Sequence, residues 1–251
     1  MNFYMEIAPF YDDLFPLDER KNKFFRDLFV ANNAQTVLDL GCGTGSLANA
    51  LANEGFSVIG IDSSEGLVAV GMANATGNAQ ISFIVSEMNA LSLRESHAFD
   101  AIICIGNSLP HLRSKEEVRK ALDAWTKLIR EKGLLVIQML NFKRLHEIGC
   151  VELPELTAPP RDGNAGLSLR RVYQWSDGYA IFKPEVVRRA SARGFAIPMT
   201  AVSHDELWSI LEECGIASCG TYENFSMKEW SESSTSFVTV GRKMREPLAN
   251  R

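Results

Sequence analysis

Val37-Leu38-Asp39-Leu40-Gly41-Cys42-Gly43-Thr44-Gly45-Ser46 is the stretch that decides the fold. A short apolar strand enters three alternate glycines, and a helical run from Ser46 to Glu54 leaves them, with Gly55 as its C-terminal stop. Glycines permit positive φ and let a ligand approach the backbone closely. Exposed amides at the turn and at the helix start favour polar or anionic groups. In open parallel sheets ligands bind here, outside the carboxyl ends of the strands.

The flanking sequence repeats the strand–helix alternation. Upstream, Lys23 to Val30 places Phe24, Phe25, Leu28 and Phe29 on one helical face. Downstream come a strand over Phe56 to Ile61, a helix over Leu67 to Ala75, and strands over Ile81 to Val85 and Phe99 to Ile105. Glu116 to Arg130 reads as an amphipathic helix stopped by Gly133, and Leu134 to Leu140 as a fifth strand. Such alternation implies crossover units and a mostly parallel sheet.

The texture changes after Asn141. Residues 145–200 carry five of the nine prolines, with alternating runs at Leu167 to Trp175 and Tyr179 to Lys183 that read as antiparallel strands. Arg188, Arg189 and Arg193 read as a solvated helix face. Asp205 to Cys214 is helical again with a cap at Ser203, and Ser218 to Phe225 and Ser236 to Arg242 read as closing strands. The expected organisation has four segments. They are an N-terminal lid and helix (1–35), a ligand-binding core (36–144), a substrate-side insertion (145–202) and a C-terminal completion of the core sheet (203–251).

Composition narrows the function. The chain has 251 residues, a formal charge of −5, 46% hydrophobic and 23% charged residues, which is ordinary for a soluble globular protein. The acidic balance argues against nucleic acid as a partner. Every apolar run falls far short of the roughly 18–20 residues a membrane helix needs. The first positive charge is Arg20, so no basic leader precedes an apolar stretch, as expected of a cytoplasmic protein. The five cysteines are scattered, without CxxC pairs or zinc spacing. We expect free buried thiols and no metal.

Details of the turn separate its ligands. The pattern is G-x-G-x-G, and Ser46 stands where a nicotinamide fingerprint prefers Gly or Ala. Asp39, just before the first glycine, would repel a pyrophosphate and suits an ammonium group. Asp62, ending Val58-Ile59-Gly60-Ile61-Asp62, stands where an acid accepts ribose hydroxyls; alone it would also serve as a helix cap with Ser63 and Ser64. Ser86-Glu87-Met88-Asn89 follows the third strand, where a polar side chain can face an adenine amino group and Met88 can cover the ring. A core methionine is the plainer reading of Met88.

Taken together, VLDLGCGTG, VIGID, FDAIICIGNSLPHL and KGLLVIQMLN, over residues 36–142, resemble the class I S-adenosylmethionine-dependent methyltransferases. Ile103 to Leu112 is similar to the matching segment of glycine and sarcosine N-methyltransferases, as is the late insertion. The resemblance implies an α/β, Rossmann-like seven-stranded sheet, mostly parallel with the last strand antiparallel, flanked by helices and carrying a small antiparallel β insertion or lid. It implies S-adenosylmethionine as cofactor and S-adenosylhomocysteine as its product. Asp39, Gly41, Gly43 and Gly45 would wall the methionine side, with Cys42 contributing backbone. Asp62 would take the ribose hydroxyls, with Ser63 near the adenine. Glu87, Met88 and Asn89 would bracket the adenine, and Ile105 and Gly106 would lie along the cofactor. Asn107 would face the substrate, and His111 would lie near the cofactor. Tyr4 to Asp13 resembles the lid helix of this group, which makes Tyr11 a contact at the methyl-donor end.

Methyl transfer from a sulfonium is an in-line displacement that needs no metal. Tyr4, Tyr11 and the Gly106 carbonyl are candidates to cradle the cationic centre. His111 is a candidate base, with a cofactor-lining or capping role the plainer reading; His97, His146 and His204 read as surface or capping residues. Arg161, Arg170 and Arg171 are all candidates for a substrate carboxylate, and spacing selects none. The leading function is methylation of a small molecule at an amine nitrogen, by a monomer or homodimer. O- or C-methylation of a small metabolite, or a non-catalytic cofactor-binding module, are the alternatives. A nicotinamide oxidoreductase is disfavoured by Asp39. A nucleic-acid methyltransferase is disfavoured by Gly106-Asn107-Ser108-Leu109 standing where an NPPY-like tetrapeptide would be.

Overall fold

A computed structural model describes residues 2–91, 93, 99–161, 165–189 and 191–244. The core strands are β1 (Thr36–Leu40), β2 (Ser57–Asp62), β3 (Ile81–Val85), β4 (Phe99–Cys104), β5 (Ile129–Leu140), β11 (Ile216–Tyr222) and β12 (Ser236–Lys243). They form one sheet in the order β11-β12-β5-β4-β1-β2-β3. β1 to β5 run parallel, and β12 is antiparallel to both β5 and β11. This is the expected seven-stranded sheet with its last strand antiparallel. His97 lies outside the described residues.

Alternation along the strands explains why the sheet is covered on both sides. Val37 of β1 belongs to one apolar cluster, with Phe25 and Phe29 of α3 (Glu19–Ala31) and Leu47 and Leu51 of α4 (Ser46–Asn53). Leu38 and Leu40 belong to the other, with Val118, Leu122 and Trp125 of α6 (Lys115–Leu128). Those three residues repeat at helical spacing, and the Ser114 hydroxyl caps the helix by accepting the Glu117 N–H. Between β2 and β3 runs α5 (Glu65–Asn74), capped by Ser64. α8 (His204–Glu213) starts with a reciprocal capping box between Ser203 and Glu206.

The insertion is a second, antiparallel sheet. Its strands are β6 (Cys150–Ala158), β7 (Leu167–Ser176), β8 (Tyr179–Arg188), β9 (Ser191–Gly194) and β10 (Ile197–Met199), in the order β10-β8-β7-β6 with β9 also paired to β8. α7 (Phe142–Ile148) leads into it from β5. The N-terminal segment is broken into α1 (Phe3–Ile7), a 3-10 turn over Ala8–Phe10, and α2 (Tyr11–Leu14). Phe3 packs edge-on against Phe182 and Phe195, and Arg188 sits 5.6 Å over the Phe10 ring. The segment is thereby tied to the insertion.

Three sequence expectations differ from the structure. α6 ends at Leu128 rather than at Arg130, because Ile129 already pairs with Phe99 in the sheet; a register shift and a left-handed Lys132 (φ 64°) precede Leu134. Arg188 and Arg193 lie on the β8–β9 hairpin, with Arg189 in its turn, rather than on a helix; Arg193 pairs with Glu6 at 3.1 Å. All five cysteines are free as expected, yet Cys104 is the fully buried one, while Cys150 and Cys219 are exposed on the edge strands β6 and β11.

Candidate active site

The carboxyl ends of β1, β2, β3 and β4 open into a cavity of about 680 Å³. Its floor is the glycine turn, its roof the N-terminal segment, and its far wall the insertion sheet. Gly41 and Cys42 dock on the end of β2 through their N–H groups, which donate to the Ile61 carbonyl at 2.7 and 3.0 Å. Gly43 donates its N–H to the Asp62 carboxylate at 2.9 Å, and the Ser64 N–H donates to the same carboxylate at 2.8 Å. Asp62 therefore also holds Ser64, the cap of α5, while its carboxylate lines the cavity.

Asp39 is 2% exposed, and its Oδ1 has no hydrogen-bond partner. Burial, then repulsion from Asp62, pushes its carboxyl up to about 7, against the pull of Lys21. Burial also raises the Asp62 carboxyl, with Glu87 adding to it, against the Ser64 and Gly43 N–H bonds that favour the ion. The cavity end thus holds two buried acids that repel each other, with the Lys21 charge only partly offsetting that repulsion. Lys21 of α3 lines the same end.

The loop after β4 carries two consecutive left-handed residues, Gly106 (φ 75°) and Asn107 (φ 64°). β5 clamps it: the Gly106 N–H donates to Gln138 Oε1 at 2.7 Å, and the Leu140 N–H donates to Asn107 Oδ1 at 3.0 Å. The loop after β3 is held by Trp125, whose indole N–H donates to the Met88 carbonyl at 2.8 Å. This fixes Glu87 and Met88 at the cavity edge.

The roof carries Tyr4 and Tyr11. Tyr4 lies 2.8 Å from Nε2 of His111, in a hydrogen bond whose direction follows the imidazole tautomer. Burial pushes the His111 imidazole down to about 4, so it is neutral near pH 7. Burial raises the Tyr4 and Tyr11 phenols as well, with Tyr11 (for Tyr4) and Asp62 (for Tyr11) adding to it. Neighbouring Asp12 accepts from Ser46 Oγ at 2.8 Å, from Thr44 Oγ1, and from Asn74 Nδ2 at 3.2 Å. It latches the roof onto the glycine turn.

Most of the sequence-selected residues converge. Tyr11, Asp39, Gly41, Cys42, Asp62, Ser63, Glu87, Met88, Ile105, Gly106, Asn107 and His111 all line the cavity. Gly43 and Gly45 lie beneath it; Gly43 packs under Tyr11, and Gly45 starts α4 in the left-handed region, against Phe83. Asn89 is exposed and reaches Glu117 at 3.5 Å rather than lining the cavity, because the chain turns toward α6 after Met88. Asn107 lines the cavity, but its side chain is committed to Leu140 and Tyr173. Of the three arginines, Arg161 pairs with Asp13 and Arg170 with Glu155 and Glu185, while Arg171 lines the cavity. Sequence reasoning missed Lys21, Gln138 and Tyr173. Tyr173 stands two residues from Arg171 and so shares its face, but the sequence does not say which face of that strand looks inward.

A doubly covered sheet with a glycine turn after β1, an acid ending β2 and an antiparallel last strand defines the class I methyltransferase architecture. Residues 37–133 match the methyltransferase domain family. The glycine/sarcosine N-methyltransferase of Parasynechococcus marenigrum is 34% identical over 52% of this chain and 47% of its own. The glycine/sarcosine/dimethylglycine N-methyltransferase of Actinopolyspora halophila is 27% identical over 93% of this chain and 41% of its own. The chain thus spans less than half the length of these two curated relatives. An S-adenosylmethionine-dependent methyltransferase structure from Clostridium acetobutylicum superposes with a TM-score of 0.78, covering 97% of this chain and all of that one at 16% identity. Residues 37–133 thus carry a methyltransferase domain, and the chain has the fold of an S-adenosylmethionine-dependent methyltransferase.

The cavity fits that cofactor. An ammonium group would satisfy the orphaned Asp39 oxygen, which is otherwise a buried polar atom without a partner. Lys21 offers a cation for the adjacent carboxylate, and the half-buried Met88 an apolar surface for a purine. Among the described residues, no group of three His, Cys, Asp or Glu side chains is placed to hold a metal ion. Among them too, no helix is long and apolar enough to cross a membrane.

Proposed function

We propose that this chain methylates a small molecule, at an amine nitrogen, by in-line transfer from S-adenosylmethionine. The observation that carries this reading is one cavity with two unlike ends. Asp39, Asp62 and the glycine turn form one end; Arg171, Tyr173 and Phe182 of the insertion sheet form the other. A volume of about 680 Å³ suits a nucleoside-sized molecule with a small partner. The names of the relatives, which specify nitrogen atoms of glycine and its methylated forms, support the choice of nitrogen.

S-adenosylmethionine supplies a methyl group already activated on a sulfonium. The protein's residues do the rest by placement. In this reading Asp39 holds the ammonium of the cofactor, Asp62 its ribose hydroxyls, and Glu87 and Met88 its adenine, with Ile105 and Gly106 along its length. Tyr4 and Tyr11 close the roof and exclude water. Aligning two reactants this way is worth roughly 7–11 kcal/mol of barrier. The hydroxyl of Tyr4 and the Gly106 carbonyl face the cationic centre. Neutral His111 orients Tyr4, and an amine entering this desolvated end sheds its proton more easily than in water. Arg171 draws an anionic group on the acceptor to the far wall.

Calorimetric titration with S-adenosylmethionine, S-adenosylhomocysteine and a nicotinamide dinucleotide tests the cofactor half. The expected result is saturable one-site binding of the first two and none of the third. Turnover against a panel of small amines, amino acids and phenols tests the rest. Methylation confined to oxygen or carbon would overturn the choice of nitrogen. Tight cofactor binding without turnover on any class would favour the non-catalytic module.

A further inference from the structure

We propose that Asn107 is a positioning residue that fixes the Tyr173 hydroxyl as a hydrogen-bond donor into the acceptor end of the cavity, where Tyr173 and Arg171 together grip an oxygen of the methyl acceptor. The inference rests on the reading of that end as the acceptor's, and the geometry points to it in three steps.

The first step is the orientation of the Asn107 amide. The Leu140 backbone N–H can only donate, and it reaches Asn107 at 3.0 Å, so the atom there must be the carbonyl oxygen. The amide nitrogen must then be the atom that faces Tyr173, and it donates to the phenolic oxygen at 3.3 Å. Both ends of a buried side chain are thereby assigned without ambiguity. The left-handed backbone at Asn107, φ 64°, is a conformation Asn tolerates better than most residues.

The second step follows from the inventory of a phenol. Having accepted from Asn107, the Tyr173 oxygen retains its own proton, and no described group accepts it. The ring is held against swinging by a stack on Phe182, with centroids 4.7 Å apart and planes at 21°. Burial keeps this phenol protonated, since it raises the group against the opposing pull of Asn107 and Arg171.

The third step is Arg171. It stands two residues before Tyr173 on β7, on the same face, and lines the same cavity. One Nη donates to the Pro154 carbonyl at 3.0 Å, and the guanidinium lies 5.5 Å over the Phe15 ring. Its Nε is buried and has no partner. Val151 and Leu153 of the paired strand flank the pair with apolar surface. An N–H and an O–H, both unsatisfied, share one wall that is otherwise apolar and aromatic. This is a seat for one acceptor group, best filled by a carboxylate, because Arg171 adds charge.

Asn107→Asp tests the idea directly. Its Oδ1 still accepts from Leu140, but its second oxygen now takes the Tyr173 proton and reverses the hydroxyl. Acetate and acetamide serve as probes, titrated by NMR into the full chain saturated with S-adenosylhomocysteine, with tyrosine rings labelled. Acetamide separates loss of the donor from simple repulsion by a new carboxylate, which a neutral probe does not feel. The expected result is at least tenfold weaker binding of acetate in N107D and in Y173F. Acetamide should weaken about fivefold in both, and in the N107D/Y173F double variant by no more than in either single. Wild-type acetamide affinity in N107D would overturn the proposal, as would additive losses in the double variant or no binding of either probe to the wild type. S-adenosylhomocysteine affinity is measured separately in each variant. Its absence in the wild type would remove the cofactor reading, while the probe titrations, repeated without it, still decide the role of Asn107.

Discussion

The Tyr11 ring rests on Gly43 so closely that a Cβ at Gly43 would lie 3.0 Å from Tyr11 Cε1 and 3.2 Å from its hydroxyl oxygen. The roof of the cavity and its floor are in contact through a residue that has no side chain. Gly43 also holds φ at 60°, where an L residue costs about 1–2 kcal/mol. Gly43→Ala is therefore expected to lift the roof as well as strain the turn. The N-terminal segment contains Phe10 and Tyr11, both sites for chymotrypsin. Faster chymotryptic cleavage within residues 3–14, with a drop in S-adenosylhomocysteine affinity of tenfold or more, is the expected outcome. Cleavage unchanged from wild type in a folded variant would dissociate the roof from the turn.

Asp39 predicts a pH dependence with two opposite signs. Its carboxyl lies near 7 in the folded protein against an ordinary value of 3.8. Between these values the folded state binds more protons than the unfolded state. The ligand-free fold therefore loses stability as pH rises from about 4 to about 7, by on the order of 4 kcal/mol. Cofactor binding runs the other way, because an ammonium needs the ionised carboxylate. Affinity for S-adenosylmethionine is expected to rise about tenfold per pH unit below 7 and level off above 8. Asp39→Asn should bind weakly at every pH and flatten both slopes. Calorimetry and urea unfolding across pH 5–9 measure the pair, and a pH-independent affinity in the wild type would contradict the role given to Asp39.

Much of the sheet was legible because its strands obey local rules. Thr36–Leu40 and Ile81–Val85 stand where the apolar pattern places them, and Ser203 caps α8 as its chemistry suggests. What failed were readings in which tertiary contact overrides local signal. Gly133 looks like a helix stop, but pairing of Ile129 with Phe99 starts the strand at Ile129 rather than at Leu134. Arg188 and Arg193 have the spacing of a solvated face, yet β-pairing takes them into a hairpin. In the cavity, the end proposed for the cofactor was visible because glycines and acids at strand ends are local features. The end proposed for the acceptor was not. Choosing Arg171 over Arg170 requires knowing which face of β7 looks inward, and that is set by pairing across the whole insertion. The commitment of Asn107 to Leu140 and Tyr173, 33 and 66 residues away, has no local signature at all.

Asp62 carries two loads that mutation can separate. Its carboxylate accepts from the Gly43 and Ser64 N–H groups at 2.9 and 2.8 Å, and it lines the cavity where the ribose is proposed to sit. Asp62→Ala removes both acceptors and is expected to weaken S-adenosylmethionine binding about 100-fold. Asp62→Asn keeps one carbonyl oxygen for the turn and offers donors to the ligand side, so it should recover part of the stability and little of the affinity. Circular dichroism and thermal melting report the first effect, and calorimetry the second. Unchanged affinity in folded Asp62→Ala would remove Asp62 from the site.

His111 is expected to be an orienting group rather than a proton acceptor. Burial lowers its imidazole from 6.5 to about 4, so near pH 7 it has little tendency to bind a proton. Its ring nitrogen lies 2.8 Å from the Tyr4 hydroxyl, which places it to set that phenol's position. Two consequences are measurable. The carbon resonances of the His111 ring should titrate near pH 4 and remain flat from pH 5.5 to 8. Because the folded state binds fewer protons than the unfolded state between 4 and 6.5, this group also makes the fold less stable as pH falls through that window. His111→Gln keeps a polar contact for Tyr4 and should retain turnover within about tenfold, with no new step in the pH profile. Loss of turnover by a thousandfold or more, together with loss of a wild-type kinetic step near 6.5, would instead identify His111 as a general base.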